Sequence, residues 1–176
     1  MTATTTEELG GHPGLPRNAL SKHEVAALLC RAGVEAGFWV IPEFEVRGLT
    51  GSKRSIDVVW ARRCPRDSHR PWAPVAAFEI EGHGVGRGAP HASITKNAES
   101  LTAAGALGAS VRAMVLFQAG PDGSSWDKGS ATDHVPTAQR LIDRALAELP
   151  PPQPAEVVLD EQLVMRLSEW QRLLAG

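Results

Sequence analysis

Nine consecutive residues, Pro74-Val75-Ala76-Ala77-Phe78-Glu79-Ile80-Glu81-Gly82, restrict this chain more than any other stretch. A short apolar run closed by glycine reads as a buried strand. Its end nevertheless carries two carboxylates two positions apart. Side chains alternate across a strand, so Glu79 and Glu81 share one side, roughly 6–7 Å apart along the backbone, while Phe78 and Ile80 face an apolar core on the other. Like charges buried side by side are costly unless a cation or donors compensate them. A metal site at the edge of a sheet is the arrangement this pattern suggests.

The chain has 176 residues, enough for one domain with a real core and a small extension, and 43% of them are apolar. Residues 1–20 read as a flexible tail, 21–149 as the core domain, and 150–176 as a Pro-rich spacer followed by a helix that packs on the core or on a partner. No stretch approaches the roughly 18–20 apolar residues of a membrane span. With two cysteines, Cys30 and Cys64, and no basic-apolar leader, the expectation is a cytoplasmic, disulfide-free protein with no membrane partner.

Ser21 and Glu24 form a capping box, and Val25, Leu28, Leu29, Ala32 and Ala36 recur at helical spacing, so a first helix is expected over Lys22–Ala36. Phe38–Val46 reads as a strand, with Pro42 demanding an edge position or a bulge. Glu43 and Glu45 share one of its faces. After the turn Gly48-Leu49-Thr50-Gly51, Arg54–Ala61 forms a second, hairpin-paired strand. Asp57 inside it is unfavourable for a strand and needs a reason.

The Pro74–Glu81 strand is third, and a glycine-rich segment, Gly82–Gly88, leads to a helix over His91–Gly105. Val111–Phe117 is a fourth strand, joined to the third through a helix as a parallel pair requires. An irregular loop spans Ala119–Val135. A helix over Pro136–Leu149, a strand candidate at Val157–Leu159 and a last helix over Glu161–Leu174 complete the chain. The stripe Leu163, Leu167, Trp170 and Leu174 on that last helix reads as core or, less commonly, as a dimer surface.

A net charge of −2 gives no sign of a polyanionic partner, but its distribution does. Between Arg47 and Arg70 lie Arg47, Lys53, Arg54, Arg62, Arg63, Arg66 and Arg70, against Asp57 and Asp67 alone, a local basic field suited to phosphates or simply to solubility. Gly84-Val85-Gly86-Arg87-Gly88-Ala89 has the look of a dinucleotide phosphate loop, but carboxylates at its mouth would repel a pyrophosphate.

Helix, three strands, helix and strand, with Ser55-Ile56-Asp57 on the second strand and Phe78-Glu79-Ile80-Glu81 on the third, resemble the PD-(D/E)XK nuclease superfamily over about Ser21–Gln118. The resemblance implies an α/β, restriction-endonuclease-like αβββαβ core. A central mixed sheet would be flanked by helices, with further helices at the C-terminus. It also implies a Mg²⁺-dependent nuclease acting on DNA, with Mn²⁺ as a substitute ion. Asp57 and Glu79 would be the principal ligands, with the Ile80 carbonyl and Glu45 or Glu43 completing the set. Lys53, Arg54, Arg62 and Arg63 would hold the nucleic-acid backbone. The family pattern ends its third-strand motif in Lys, where this chain has Glu81. Either Lys96, one helix later, supplies that ammonium, or Glu81 itself orients or deprotonates the attacking water. The expected assembly is a homodimer or a larger defence or mobile-element complex. A catalytically inactive nuclease-like module that binds nucleic acid or a partner protein is the alternative.

Overall fold

The computed structural model describes residues 20–47, 51–64, 71–82, 90–117 and 155–175, together with 136, 139, 140, 143 and 144. The expected N-terminal tail, the glycine-rich segment, the 119–135 loop, the 150–154 spacer and most of the 136–149 helix lie outside those residues. Pro136, Gln139, Arg140, Asp143 and Arg144 of that helix are helical.

Helix α1 (Lys22–Glu35) begins at the capping box read from the sequence: Ser21 Oγ accepts from the Glu24 amide, and the Glu24 carboxylate accepts from the Ser21 amide at 2.8 Å. Strands β1 (Trp39–Arg47), β2 (Lys53–Arg63) and β3 (Trp72–Glu81) follow, then helix α2 (Pro90–Ala106) and strand β4 (Val111–Leu116). The strand candidate near Val157 is real. It forms β5 (Glu156–Leu159), and a short 3-10 turn, Asp160–Gln162, leads into helix α3 (Leu163–Ala175). The last helix therefore starts at the first residue of its apolar stripe, two positions after the expected Glu161.

The five strands form one mixed sheet in the order β1-β2-β3-β4-β5. The first three are antiparallel neighbours, whereas β3, β4 and β5 run parallel. The chain is thus α/β, a five-stranded sheet flanked by helices. β3 is the middle strand and is buried continuously from Ala76 to Glu81, as a strand covered on both faces must be. The Pro42-bearing strand is at an edge, where a residue without an N–H costs no ladder bond.

Each face of the sheet has its own core. On one, α2 contributes Ile94, Ala98, Leu101 and Ala104 against Phe44, Val46, Ile56, Val59, Ala77 and Met114. On the other, Val25 and Leu29 of α1 and Leu163, Leu167, Trp170 and Leu174 of α3 cover Val58, Trp60, Phe78, Ile80 and Val115. The α3 stripe is therefore core. Aromatic rings run across this second face: Phe38 stacks on Trp60 at 5.7 Å, Trp60 meets Phe78 edge-on at 4.9 Å, and Phe78 meets Trp170 at 5.1 Å.

The depth at which α1 sits is set by Trp60 and Gly33. The indole Nε1 donates to the Leu29 carbonyl at 2.9 Å, and a Cβ on Gly33 would lie 2.5 Å from that same nitrogen and 2.7 Å from Val40. Trp60 is fully buried and has nowhere to retreat. Gly33→Ala is therefore expected to destabilise the fold by about 1–3 kcal/mol, the usual cost of overpacking, as a lower midpoint in urea unfolding.

Candidate functional site

Strands β2 and β3 pair regularly from Val59↔Ala77 to Val58↔Phe78 and then part. β3 continues alongside β4 through Ile80↔Val115 and Glu81↔Leu116. Asp57 stands where the two strands separate. Its Oδ2 accepts from the Ile80 amide at 2.7 Å, so a side chain substitutes for the missing ladder partner. An aspartate inside a strand thereby has its reason.

The faces also change over at this point. Val58 and Trp60 pack on the α1 side, but Ile56 packs on the α2 side, which strict alternation forbids. β1 makes the same change without losing register, because Pro42↔Val58 and Phe44↔Ile56 both belong to one ladder. Between them Glu43 adopts φ 50°, a left-handed conformation unusual for a residue with a side chain. Ser55 Oγ donates to its carboxylate at 2.8 Å.

Glu79 and Glu81 both point toward α2, as the two-residue spacing requires. Glu79 is 3% exposed, and its Oε1 has no hydrogen-bond partner among the described residues. Burial, and then repulsion from Asp57, hold its carboxyl well above the ordinary carboxylate range, against a partial offset from the Ser100 hydroxyl. Glu81 is buried too, but better served: the Asn97 amide donates to Oε2 at 2.8 Å and the Gly82 amide to Oε1 at 3.1 Å. Burial pushes Glu81 up to about 7, offset by the Gly82 amide, Lys22 and Asn97. Gly82 lies so close to Phe117 that a Cβ would fall 2.3 Å from its ring, which requires glycine at the end of β3.

The ammonium at the site comes from the first helix. Lys22 Nζ lies 2.8 Å from Asp57 Oδ1. Burial lowers the lysine's proton affinity, but Asp57, assisted by Glu43 and Glu81, outweighs this and leaves its pKa raised. Lys96, the expected source, is on the exposed side of α2, and the next residue, Asn97, is the one that reaches Glu81. One position along a helix is a turn of 100°, enough to exchange an inward for an outward side chain. Sequence spacing could have placed Asn97 with Ile94, Ala98 and Leu101 on the inner margin. Nothing local to Lys22 announced its role, because the contact with Asp57 joins residues 35 positions apart.

The remaining expected site residues are dispersed. Glu45 is exposed and pairs with Lys53, so the first strand brings Glu43 rather than Glu45 to the acidic end. Arg54 pairs with Glu99 of α2 at 2.7 Å. Arg62 is five residues beyond Asp57, roughly 17 Å along the strand. There it donates to the Leu174 carbonyl and lies over the Phe38 ring at 5.6 Å. Arg63 is exposed beside it. These four cations thus divide between the two ends of β2. Among the described residues no group of three or more His, Cys, Asp or Glu side chains forms a metal cage. What converges is a carboxylate pair, Asp57 and Glu79, with Glu81 adjacent and held by α2.

No family model, curated protein or solved structure matches this chain. Chemical meaning therefore rests on the side chains. Among the described residues no helix is long and apolar enough to cross a membrane.

The two raised carboxyls make folding take up protons. For Glu81, folded and unfolded states differ in protonation between about pH 4.5 and 7, so its contribution to stability falls as pH rises through that window. In ion-free protein, urea unfolding should show stability declining from pH 4.5 to 7. Glu81→Gln, which keeps an acceptor for Asn97, should remove at most about 3 kcal/mol of that decline. Glu79 leaves a residual slope.

Proposed function

We propose that this chain is a divalent-metal-dependent nuclease of restriction-endonuclease-like architecture that hydrolyses DNA phosphodiesters. The observation that carries the reading is the Glu79 Oε1 atom, buried without a partner beside a second carboxylate. A carboxyl buried in that state favours its neutral form unless a cation compensates the charged one. The element order, a helix, three antiparallel strands, a crossover helix and a parallel strand, agrees with the motif positions. Asp57 and Glu79 are hard oxygen donors of the kind Mg²⁺ or Mn²⁺ takes, and two carboxylates suffice for an ion that retains several waters. They would hold the ion with the Ile80 carbonyl.

When bound, the ion supplies an activated water and neutralises charge growing on the phosphate. The chain's own residues supply the setting. Asp57, fixed by the Ile80 amide, keeps its second oxygen directed outward to Lys22. Glu81, with a pKa of about 7 and steered by Asn97, would orient the attacking water and accept its proton. Lys53 and Arg54 at the near end of β2 would hold the nucleic-acid backbone close to the site. Arg62 and Arg63 would hold it further away.

One observation favours a second reading. Lys22 already compensates Asp57, and Glu81 stands where the family pattern has lysine, as an inert nucleic-acid-binding module would tolerate. Incubation of supercoiled plasmid, single-stranded DNA and RNA with Mg²⁺ or Mn²⁺, with and without chelator, separates the two. The expected result is ion-dependent cleavage of DNA. In Glu79→Gln it should fall at least about 100-fold, corresponding to several kcal/mol of lost charge stabilisation. Absence of cleavage on every substrate, with DNA binding weakened by Lys53→Ala/Arg63→Ala, would establish the inert module instead.

A further inference from the structure

We propose that Lys22 is a built-in counter-ion for the carboxylate pair, which an entering divalent cation displaces from Asp57 onto Glu43. This rests on the metal-binding reading above and concerns how that site is charged and discharged.

Four observations support it. First, Lys22 occupies the opening turn of α1, where the positive end of the helix dipole disfavours a cation. Its ammonium is nevertheless 2.8 Å from Asp57, so the carboxylate is what holds it there. Second, its main chain is fixed while its head is not. The Ser21–Glu24 capping box and a 2.8 Å bond from the Leu20 amide to the buried Asp160 carboxylate anchor the start of the helix. The Lys22 side chain itself is 46% exposed and retains room to swing.

Third, a receiving carboxylate is in place. Glu43 sits on β1 between the ladder pairs that flank Asp57, and it already attracts the ammonium. Glu43 is held in a left-handed backbone conformation, φ 50°, and Ser55 fixes its carboxylate. The left-handed residue is where β1 changes faces to bury Phe44, and it leaves the Glu43 side chain exposed beside the Asp57 end of the sheet. Fourth, a monovalent ammonium satisfies Asp57 alone and leaves Glu79 Oε1 without a partner. A divalent ion can serve both carboxylates, so exchange is favourable provided the displaced lysine finds another anion.

The site then has two charge states. In one, Lys22 rests on Asp57 and Glu79 Oε1 has no partner among the described residues. In the other, Asp57 and Glu79 would hold the cation and Lys22 would pair with Glu43.

Calorimetric titration of the full chain with Mg²⁺ and with Mn²⁺ tests this without reference to cleavage. Lys22→Met removes the competitor and should tighten ion binding about two- to fivefold, the scale of a half-exposed ion pair. Lys22→Arg should bind like wild type. Glu43→Gln should weaken binding about threefold by removing the receiving anion, and should have no such effect in the Lys22→Met background, where there is no ammonium to receive. Thermal unfolding of the ion-free variants accompanies the titrations. A merely structural lysine would lower melting temperature and ion affinity together, whereas a displaced counter-ion lowers the first and raises the second. Equal or weaker binding by Lys22→Met overturns the exchange while leaving the metal site standing. Unchanged binding by Glu43→Gln overturns the transfer to β1. Absence of binding in wild type and Lys22→Met alike overturns both the exchange and the metal-binding reading.

Discussion

A single hydrogen bond, from the Ile80 amide to the Asp57 carboxylate, reconciles two demands that a regular sheet cannot meet together. The central strand must stay paired to remain buried. The site, however, needs β2 to leave it so that acidic side chains can gather in the gap. An orphaned amide at Ile80 would cost about 1–3 kcal/mol, and a neutral hydroxyl there would carry no charge into the gap. Aspartate satisfies the amide with one oxygen and presents the other. The parting of the strands, the change of faces at Ile56 and Phe44 and the strained Glu43 backbone all occur within this one segment of β1 and β2.

Charge on the two sides of that gap is unequal. Toward α1, Asp57 meets an ammonium that is half in water. Toward α2, Glu79 and Glu81 are buried among neutral amide and hydroxyl groups, with the Asp57 carboxylate repelling both and Lys22 attracting Glu81 without pairing with it. Neutral donors stabilise a carboxylate by far less than its transfer out of water costs, so the α2 side remains the electrically unsatisfied one.

Much of this architecture was legible in the residues. The capping box, the two helical periodicities and the apolar β3 run specify local structure that tertiary packing did not override. The parity of Glu79 and Glu81 correctly placed both toward one helix. Less legible was anything depending on two distant segments meeting. The Val157–Leu159 run is too short to be more than a candidate alone, and it becomes a strand because β4 offers a parallel edge. Asn97 and Lys22 matter through contacts 16 and 35 residues away in sequence. Glu45 looked equivalent to Glu43 by alternation, and only the left-handed turn at Glu43 distinguishes them. Arg62 was indistinguishable from Arg54 in a list of cations, yet strand length carries it to the opposite end of the sheet.

The absent side chain at Gly33 has a reach that its position near the end of α1 conceals. α1 is a rigid rod of about 21 Å, clamped at one extremity by contact with Trp60 and bearing Lys22 at the other. Any residue that lifted the clamped extremity would pivot the rod and change how far its leading cation stands from Asp57. Tolerance to substitution at Gly33 is thus tied to electrostatics at Lys22, about 17 Å along the helix, and the two cannot drift independently as the chain diverges.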